Sequence, residues 1–489
     1  MKRKSIRTVL LALTLAAVTF AGCGAQKGGD EKTVQLNPDN PVSLTIWHYY
    51  NGRQQITFDE LAEEFNATVG KDTGIYVKGY SYGSVSDLEK AITASLNEEV
   101  GADAMPDIFS SYADTAYAVQ QQGKLADLTE YFTEDELSAY VDSYLKEGYF
   151  KDDGALYLLP IAKSTEILMI NETDWEPFAE ATGATIDELS TTEGITRVAE
   201  EYYNWTDSLT PDIPDDGKAF YGRDSMSNYF VIGMKQMGID IFDVTDGKAV
   251  FQTDKEALRR LWDNYYVPYV KGYFAAKGKF RSDDVKTGDI IAYTGSVSSS
   301  AYFPDYVEDE DSYPISYAVA PAPVMEGGEN YKVQQGAGMA VLKSDPEHEY
   351  AASVFLKWFT AKEQNLRYVC DTAYMPVLKE SNSIEAVEEA VSQNNIDIDA
   401  KTLDCLRCVM SDFDKITFYT TKNFENGYSA RKVLDYNLSD KAEADRAAVE
   451  EAMAAGSSRE EALAQYLTDE NFESWYNGFV DALNATAAK

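Results

Sequence analysis

The strongest constraint on the fold of this chain is an alternation of strand-like and helix-like stretches near its beginning. Strand-like stretches alternate apolar and polar side chains, whereas the helical ones place apolar residues at three- and four-residue spacing. The predicted elements are, in chain order, a strand over 43–48, a helix over 54–68, a strand over 74–80, a helix over 86–100 and a strand over 105–109. This β-α-β-α-β order predicts an open α/β sheet with right-handed crossovers.

Length and charge limit the function classes. The chain has 489 residues, which is enough for two to four lobes or domains with sizeable cores. Its formal net charge of −39 repels nucleic acid and anionic lipid headgroups, so neither is an expected partner. We interpret the acidity chiefly as a feature that keeps the protein soluble. It does not indicate the charge of a ligand, because a local pocket can oppose the overall field.

The first residues have the pattern of an export signal. Basic residues from Lys2 to Lys4 precede an apolar run over 9–20, which is too short for a membrane-spanning helix and typical of a signal peptide. The stretch from Phe20 to Cys23 resembles a bacterial lipobox, so we expect residues 1–22 to be removed and Cys23 to be lipidated. An ordinary signal peptide with an accidental cysteine is the alternative. Residues 23–41 are polar and predict a flexible tether.

A second informative stretch lies late in the chain, over residues 334–378. Gly336 and Gly338 lead into a short apolar strand at 339–342. Asp345 is then suited to cap a helix whose first position is Pro346. The apolar spacing predicts that this helix runs to about residue 370 and that an extended segment follows it.

Motifs spread over the whole chain carry a family resemblance. They are Phe65-Asn66, Pro106-Asp107, 123–128, 153–160 with Asn171, 288–296, and the late stretch 334–378. In this order they resemble the family 1 extracellular solute-binding proteins, the sugar-capturing receptors of ABC importers. Ile170 departs from the family pattern, which has a tyrosine before the asparagine.

The resemblance implies a type II periplasmic-binding-protein-like α/β fold, in which two lobes with open mixed sheets enclose a ligand cleft. We expect the chain to cross between the lobes near residues 160–164, 293–297 and 335–339. The expected division is 42–160 plus 297–336 for lobe I, 161–296 plus 337–381 for lobe II, and 382–489 for a helical C-terminal extension packed on the lobes.

Candidate ligand-binding residues follow from strand ends and crossings. Ligands of open α/β sheets bind beyond the carboxyl ends of strands, and sugars combine ring stacking with a few precise polar contacts. The candidates are Tyr49, Tyr50, Tyr112, Asp114, Lys163, Ser164, Trp205, Arg223, Asp224, Asn228, Ser296, Gln335, Gly336 and Tyr374. The alternative for each residue is a purely structural role. It would then be an aromatic side chain of the core, a helix cap, or a crossover residue whose polar group bonds to the backbone.

We therefore expect a monomeric substrate-binding lipoprotein that captures a mono- or oligosaccharide and delivers it to ABC permease subunits by hinge closure. We expect no catalytic residues, cofactor or metal, since Cys405 and Cys408 have no second pair and the chain has only two histidines. Three alternatives stay open. They are an exported carbohydrate hydrolase, a sensor with the same fold, and a receptor for an anionic solute such as a polyol phosphate.

Overall fold

The computed structural model describes residues 34–151, 153–245, 247–308, 312–394, 396, 398–411 and 413–487. The predicted signal peptide and Cys23 therefore lie outside the described residues. The strands are β1 (Val42–His48), β2 (Ile75–Ser81), β3 (Ile108–Ser111), β4 (Leu159–Pro160), β5 (Glu166–Asn171), β6 (Tyr221–Arg223), β7 (Phe242–Thr245), β8 (Lys248–Phe251), β9 (Ala292–Ser296), β10 (Tyr306–Val307), β11 (Tyr313–Pro314), β12 (Tyr317–Pro321), β13 (Tyr331–Val333), β14 (Gly338–Val341) and β15 (Thr417–Tyr419). The helices are α1 (Gly52–Ala67), α2 (Val69–Thr73), α3 (Val85–Leu96), α4 (Ala113–Gln121), α5 (Glu134–Ser138), α6 (Asp142–Lys146), α7 (Glu172–Thr182), α8 (Thr192–Ser208), α9 (Met226–Gln236), α10 (Lys255–Val270), α11 (Arg281–Lys286), α12 (Pro346–Thr360), α13 (Lys362–Thr372), α14 (Ile384–Asn394), α15 (Ala400–Met410), α16 (Gly427–Ala454), α17 (Arg459–Leu463) and α18 (Asp469–Ala487).

The first lobe is built on a five-stranded sheet in the order β2-β1-β3-β14-β4. The strands β2, β1 and β3 are parallel, as the β-α-β-α-β pattern predicts, whereas β14 runs antiparallel to both β3 and β4. The carboxyl ends of β1 and β3 therefore lie side by side at one edge of the sheet.

The second lobe is built on a four-stranded mixed sheet in the order β12-β5-β9-β6. Here β5 is antiparallel to both neighbours, and β6 is parallel to β9. Because of these directions, the carboxyl ends of β6, β9 and β12 and the amino end of β5 share one edge. The predicted two-lobed α/β fold is confirmed.

The chain passes between the two sheets at 161–165, between β4 and β5, and again at 334–337, before β14. These passages agree with two of the predicted crossings. The crossing expected at 293–297 is wrong, because β9 occupies residues 292–296 inside the second sheet.

The expected division of the chain also differs from the structure in its later part. The strand β12, expected in lobe I, pairs with β5 of the second sheet. The strand β14, expected in lobe II, pairs with β3 of the first, where α12 and α13 pack against β1 and α1. Short apolar strands can pair with either sheet, and sequence spacing alone does not distinguish the two.

The C-terminal segment contributes to the core of the second lobe. The helix α15 packs on β12, α16 packs on α9 and α10, and α18 packs on α10 and α16. Leu434, Leu438, Trp475 and Phe479 are buried in the same hydrophobic cluster as the residues of α9 and α10. The extension from α16 onward is thus part of the second lobe, whereas α14 packs on α13 of the first lobe.

The predicted late helix starts where expected but is divided in two. Asp345 accepts hydrogen bonds from the backbone N–H groups of Glu347 and His348, so it caps α12 with Pro346 at the first position. At Ala361 the backbone is extended, with φ −61° and ψ 151°, and α13 begins after it. The chain can then turn α13 onto α1.

Candidate ligand cleft

Tyrosine side chains gather at the edge of the first sheet. Tyr49 and Tyr50 directly follow β1, and Tyr112 stands between β3 and α4. The ring centroids of Tyr49 and Tyr50 are 5.0 Å apart, and the ring of Tyr112 is nearly parallel to that of Tyr49 at 6.5 Å. Tyr368 lies 5.8 Å from Tyr50, and Tyr374 interacts with Tyr49. We call these five residues the tyrosine cluster.

The cluster offers phenol hydroxyls that stay protonated. Burial is the main cause that raises the pKa of Tyr49, Tyr50 and Tyr112 well above the ordinary value. The hydroxyl of Tyr374 also lies within reach of the side chains of Ser298 and Gln54. A protonated phenol both donates and accepts hydrogen bonds, and its ring face stacks on apolar groups.

A charged pair flanks the cluster. Asp114, in the first turn of α4, accepts a 2.7 Å hydrogen bond from Nε of Arg431, which belongs to α16. The second oxygen of Asp114, Oδ1, is buried without a hydrogen-bond partner. Arg431 also donates to the hydroxyl of Thr421. The pair joins the first lobe to the C-terminal extension.

Arg431 lies beside the tyrosine cluster but was not among the residues predicted from the sequence. It lies 317 positions after Asp114, in a helix that carries no functional motif. Only the packing of α16 on the second lobe brings it to the cleft.

Buried charges hold the two passages together. Nζ of Lys163 lies 2.5 Å from Oε2 of Glu147 and donates to the carbonyl of Gly336 at 2.8 Å. The same carboxylate oxygen accepts from Gln334 at 2.9 Å. Lys163 is thus committed to a protein carboxylate. Glu147 and Gln334 were not predicted.

The other predicted residues of the passages also interact mainly with backbone groups. The N–H of Ser164 donates to the carbonyl of Gln335 at 3.0 Å, and its hydroxyl contacts the carbonyl of Thr165 at 3.3 Å. Oε1 of Gln335 is buried and has no hydrogen-bond partner, which leaves one acceptor beside the cleft. Gly336 has φ +95°, and a Cβ there would lie 2.5 Å from the carbonyl oxygen of Ala162. Glycine is required at this position.

The second lobe contributes a group of buried polar residues at the ends of β5 and β6. Arg223 donates to Oε2 of Glu166 at 3.3 Å, and Asn228 donates to Oε1 at 2.9 Å. The guanidinium of Arg223 also lies 4.6 Å over the ring of Tyr229. The predicted Arg223 and Asn228 therefore come together, but around an internal carboxylate.

Two further predicted residues lie near the same edge. Asp224 accepts the backbone N–H of Arg281 at 2.9 Å, and burial raises its pKa to about 6. The hydroxyl of Ser296 lies 2.8 Å from that of Ser298, which links it to the surroundings of Tyr374.

Trp205 is not brought to the cleft. Its ring packs on Phe178 at 5.6 Å and on Tyr202 at 5.8 Å, within the aromatic core of the second lobe. In this position the ring serves packing and does not form the stacking platform that the sequence suggested.

Two α/β lobes joined by two passages, with a cluster of largely buried tyrosines at the edge of the first sheet, have the architecture of a two-lobed solute-binding protein. The family model described as "Bacterial extracellular solute-binding protein" matches residues 60–395. The chain belongs to this family. A search of the curated proteins found no significant match.

Solved structures share the fold over about nine-tenths of this chain. The cyclic alpha-maltosyl-1,6-maltose binding protein from Arthrobacter globiformis is 19% identical with a TM-score of 0.65, covering 92% of this chain and 99% of its own. UgpB from Mycobacterium tuberculosis, in complex with glycerophosphocholine, is 16% identical with a TM-score of 0.64, covering 91% and 98%. An ABC substrate-binding protein from Listeria monocytogenes, in complex with cycloalternan, is 16% identical with a TM-score of 0.62, covering 91% and 100%.

Among the residues that the structure describes, no group of three or more His, Cys, Asp and Glu side chains is arranged to hold a metal ion. None of the helices within those same ranges is both long and apolar enough to cross a bilayer.

Proposed function

We propose that this protein is the substrate-binding lipoprotein of an ABC importer and captures a carbohydrate in the cleft between its lobes. The observation that carries the proposal is the tyrosine cluster beside Asp114, at the carboxyl ends of β1 and β3. Ring faces stack on the apolar C–H faces of a sugar, while phenols and the free oxygen of Asp114 bind its hydroxyls.

The relatives support this ligand class. One structure above is of a cyclic alpha-maltosyl-1,6-maltose binding protein, another is in complex with cycloalternan, and others of similar fold are bound to maltotriose and mannotriose, whereas UgpB is in complex with glycerophosphocholine. At identities of 13–19% they are evidence of fold, so the carbohydrate assignment for this chain depends on its own cleft.

The charges of the cleft favour a neutral ligand over an anionic one. Both cations among the predicted ligand-binding residues already face a protein carboxylate: Lys163 pairs with Glu147, and Arg223 pairs with Glu166. An anionic solute would have to replace these buried partners, and breaking a buried pair is costly. The polyol phosphate alternative therefore has less support than a sugar.

We infer a binding role without catalysis. The same pairing leaves Glu147 and Glu166 engaged with protein groups, whereas glycoside hydrolysis requires two carboxylates that both face the scissile bond. Capture by closure of the lobes presents both lobes to permease subunits, and a monomer suffices for that step. Lipidation at Cys23, followed by the tether over 23–41, would keep the receptor at the cell membrane.

The experiment is a thermal-shift screen of the chain lacking residues 1–23 against neutral mono-, di- and oligosaccharides and against sugar phosphates. A ligand at 100 times its Kd adds about 2.7 kcal/mol of stability. We expect a rise of a few degrees with one class of neutral sugar. Tyr112→Ala should abolish the rise. Tyr76→Ala should keep it, because Tyr76 is exposed and lies at the amino end of β2, away from the carboxyl ends of β1 and β3.

The alternatives predict other outcomes. A rise only with phosphorylated compounds would support an anionic ligand, and release of product from an oligosaccharide would support a hydrolase. A neutral-sugar shift that survives Tyr112→Ala would place the ligand away from the tyrosine cluster. Trp205→Phe should keep the shift while lowering the melting temperature, because this ring lies in the lobe core.

A further inference from the structure

The two lobes touch beside the tyrosine cluster, where α4 of the first lobe meets the start of α16. Ala113 and Ala116 of α4 belong to the core of the first lobe, whereas Leu434 of α16 belongs to the core of the second. The first residue of α16 is Gly427, and a Cβ at this position would lie only 3.2 Å from Oδ1 of Asp114 in α4. The two helices are therefore in direct contact across the boundary between the lobes.

An ion pair spans this boundary. Nε of Arg431, one turn into α16, donates a 2.7 Å hydrogen bond to Oδ2 of Asp114, while the same guanidinium also donates to the hydroxyl of Thr421. The side chains of Arg431 and Asp114 are 27% and 12% exposed. Because water already reaches both groups, separating the lobes would rehydrate them without leaving a buried charge. The pair can therefore break and form again, in contrast to Lys163 and Glu147, which are only 1% and 8% exposed.

Contacts without charge accompany the ion pair on both sides of the tyrosine cluster. On the α4 side, the hydroxyl of Tyr117 lies directly against Gly247, in the turn between β7 and β8. On the other side, Tyr374 of the first lobe lies within hydrogen-bonding reach of Ser298, just after β9 of the second lobe. Between these contacts, Tyr50 is only 2% exposed. A ligand can reach the buried side of the cluster only after the contacts separate.

We propose that Asp114 and Arg431 form a latch that holds the lobes together in the ligand-free protein and opens to admit a ligand. The helices that carry the two residues are anchored in the cores of different lobes, so the hydrogen bond exists only in the closed arrangement. A partly exposed hydrogen bond between charged groups should raise the ratio of closed to open molecules by about three- to tenfold. The C-terminal extension takes part in closure through Arg431. The latch uses Oδ2 of Asp114 and leaves Oδ1 for the ligand.

The test measures the distance between the lobes by pulsed electron paramagnetic resonance, in the chain lacking residues 1–23 and without any sugar. Spin labels are attached at Lys90→Cys in α3 and at Asp440→Cys in α16, because both positions are exposed and lie on opposite lobes. Cys408→Ser removes a partly buried native thiol, whereas Cys370 and Cys405 are buried and stay in place. The distance distribution gives the fractions of closed and open molecules.

Arg431→Met should lower the ratio of closed to open molecules about three- to tenfold, and Asp114→Asn should lower it equally from the other lobe. The two substitutions together should lower it no further, because either one already breaks the hydrogen bond. Arg446→Met is the matched control, since it removes the same charge from the same helix. Arg446 pairs with Glu450 within α16 and donates to the carbonyl of Val270 in the same lobe, so this variant should keep the wild-type distribution.

Identical distributions in the wild type and Arg431→Met would overturn the proposal, as would a wild type that shows the open arrangement alone. An equal change in Arg446→Met would also overturn it, because the effect would then come from the net charge of the helix. If Arg431→Met fails to fold, Asp114→Asn, which keeps the shape of the side chain, decides the question. The carbohydrate proposal is tested by sugar-induced shifts, so either proposal can fail without the other.

Discussion

At the scale of the residue, burial decides which polar groups serve the fold and which remain for a ligand. Lys163 and Arg223 are almost fully buried and paired with carboxylates, so they hold lobes and passages together. Asp114 and Gln335 each keep an oxygen without a partner. Under the proposed function, these two unsatisfied acceptors are available to the hydroxyl groups of a ligand.

His48 provides a residue-scale prediction on pH. Its ring is buried beside Tyr50 and Phe58, Nδ1 accepts the N–H of Tyr50 at 3.2 Å, and burial lowers its pKa to about 4. Between pH 6.5 and 4 the unfolded chain therefore binds a proton that the folded chain excludes. Stability from this residue should fall by about 3 kcal/mol as the pH drops through that range.

Urea unfolding at pH 7.5 and pH 4.5 measures this contribution. His48→Gln should make the free energy of unfolding less dependent on pH, whatever its effect at pH 7.5. His348→Gln is the control, because His348 lies on the surface beside Asp345. An unchanged pH dependence in His48→Gln would contradict the assignment of acid sensitivity to this ring.

At the scale of the element, the ends of strands and helices determine the site. The proximity of Tyr49, Tyr50 and Tyr112 was predictable, because parallel strands that are close in sequence bring their carboxyl ends together. Trp205 was misplaced because helical spacing does not show whether an aromatic residue faces a core or a cleft. Arg431 was missed because its position depends on packing of α16 on α9 and α10, which no local pattern encodes.

The anchoring of α16 on α9 can be tested at one contact. Oδ1 of Asp435 accepts the backbone N–H of Ser227, in the first turn of α9, at 3.0 Å. Asp435→Ala removes this acceptor and should lower the free energy of unfolding by about 1 kcal/mol. Asp440→Ala, at an exposed position of the same helix, should change it little. Equal effects of the two variants in urea titrations would show that this contact adds nothing to stability.

At the scale of the whole molecule, the two passages at 161–165 and 334–337 connect the sheets and lie against each other. Ser164 and Gln335 exchange backbone hydrogen bonds of 3.0 and 2.9 Å, and Lys163 bonds to the carbonyl of Gly336. The sequence predicted two lobes and both passages. It could not assign β12 and β14 to their sheets, because strand pairing over such separations depends on the tertiary fold.

The close approach of the two passages leads to the last prediction. Gly336→Ala would place a Cβ 2.5 Å from the Ala162 carbonyl oxygen at a residue with φ +95°, so the passages must shift apart. Gly327→Ala is the matched control, since Gly327 also has positive φ, at +74°, but a Cβ there meets nothing within 4 Å. The control should lose about 1 kcal/mol for the left-handed backbone alone, and Gly336→Ala should lose roughly 3 kcal/mol or more. Chemical denaturation of the two variants measures the difference. Equal losses of stability in the two variants would show that the passages tolerate separation. Because ligand capture requires the correct relative position of the two lobes, Gly336→Ala should also weaken the sugar-induced thermal shift.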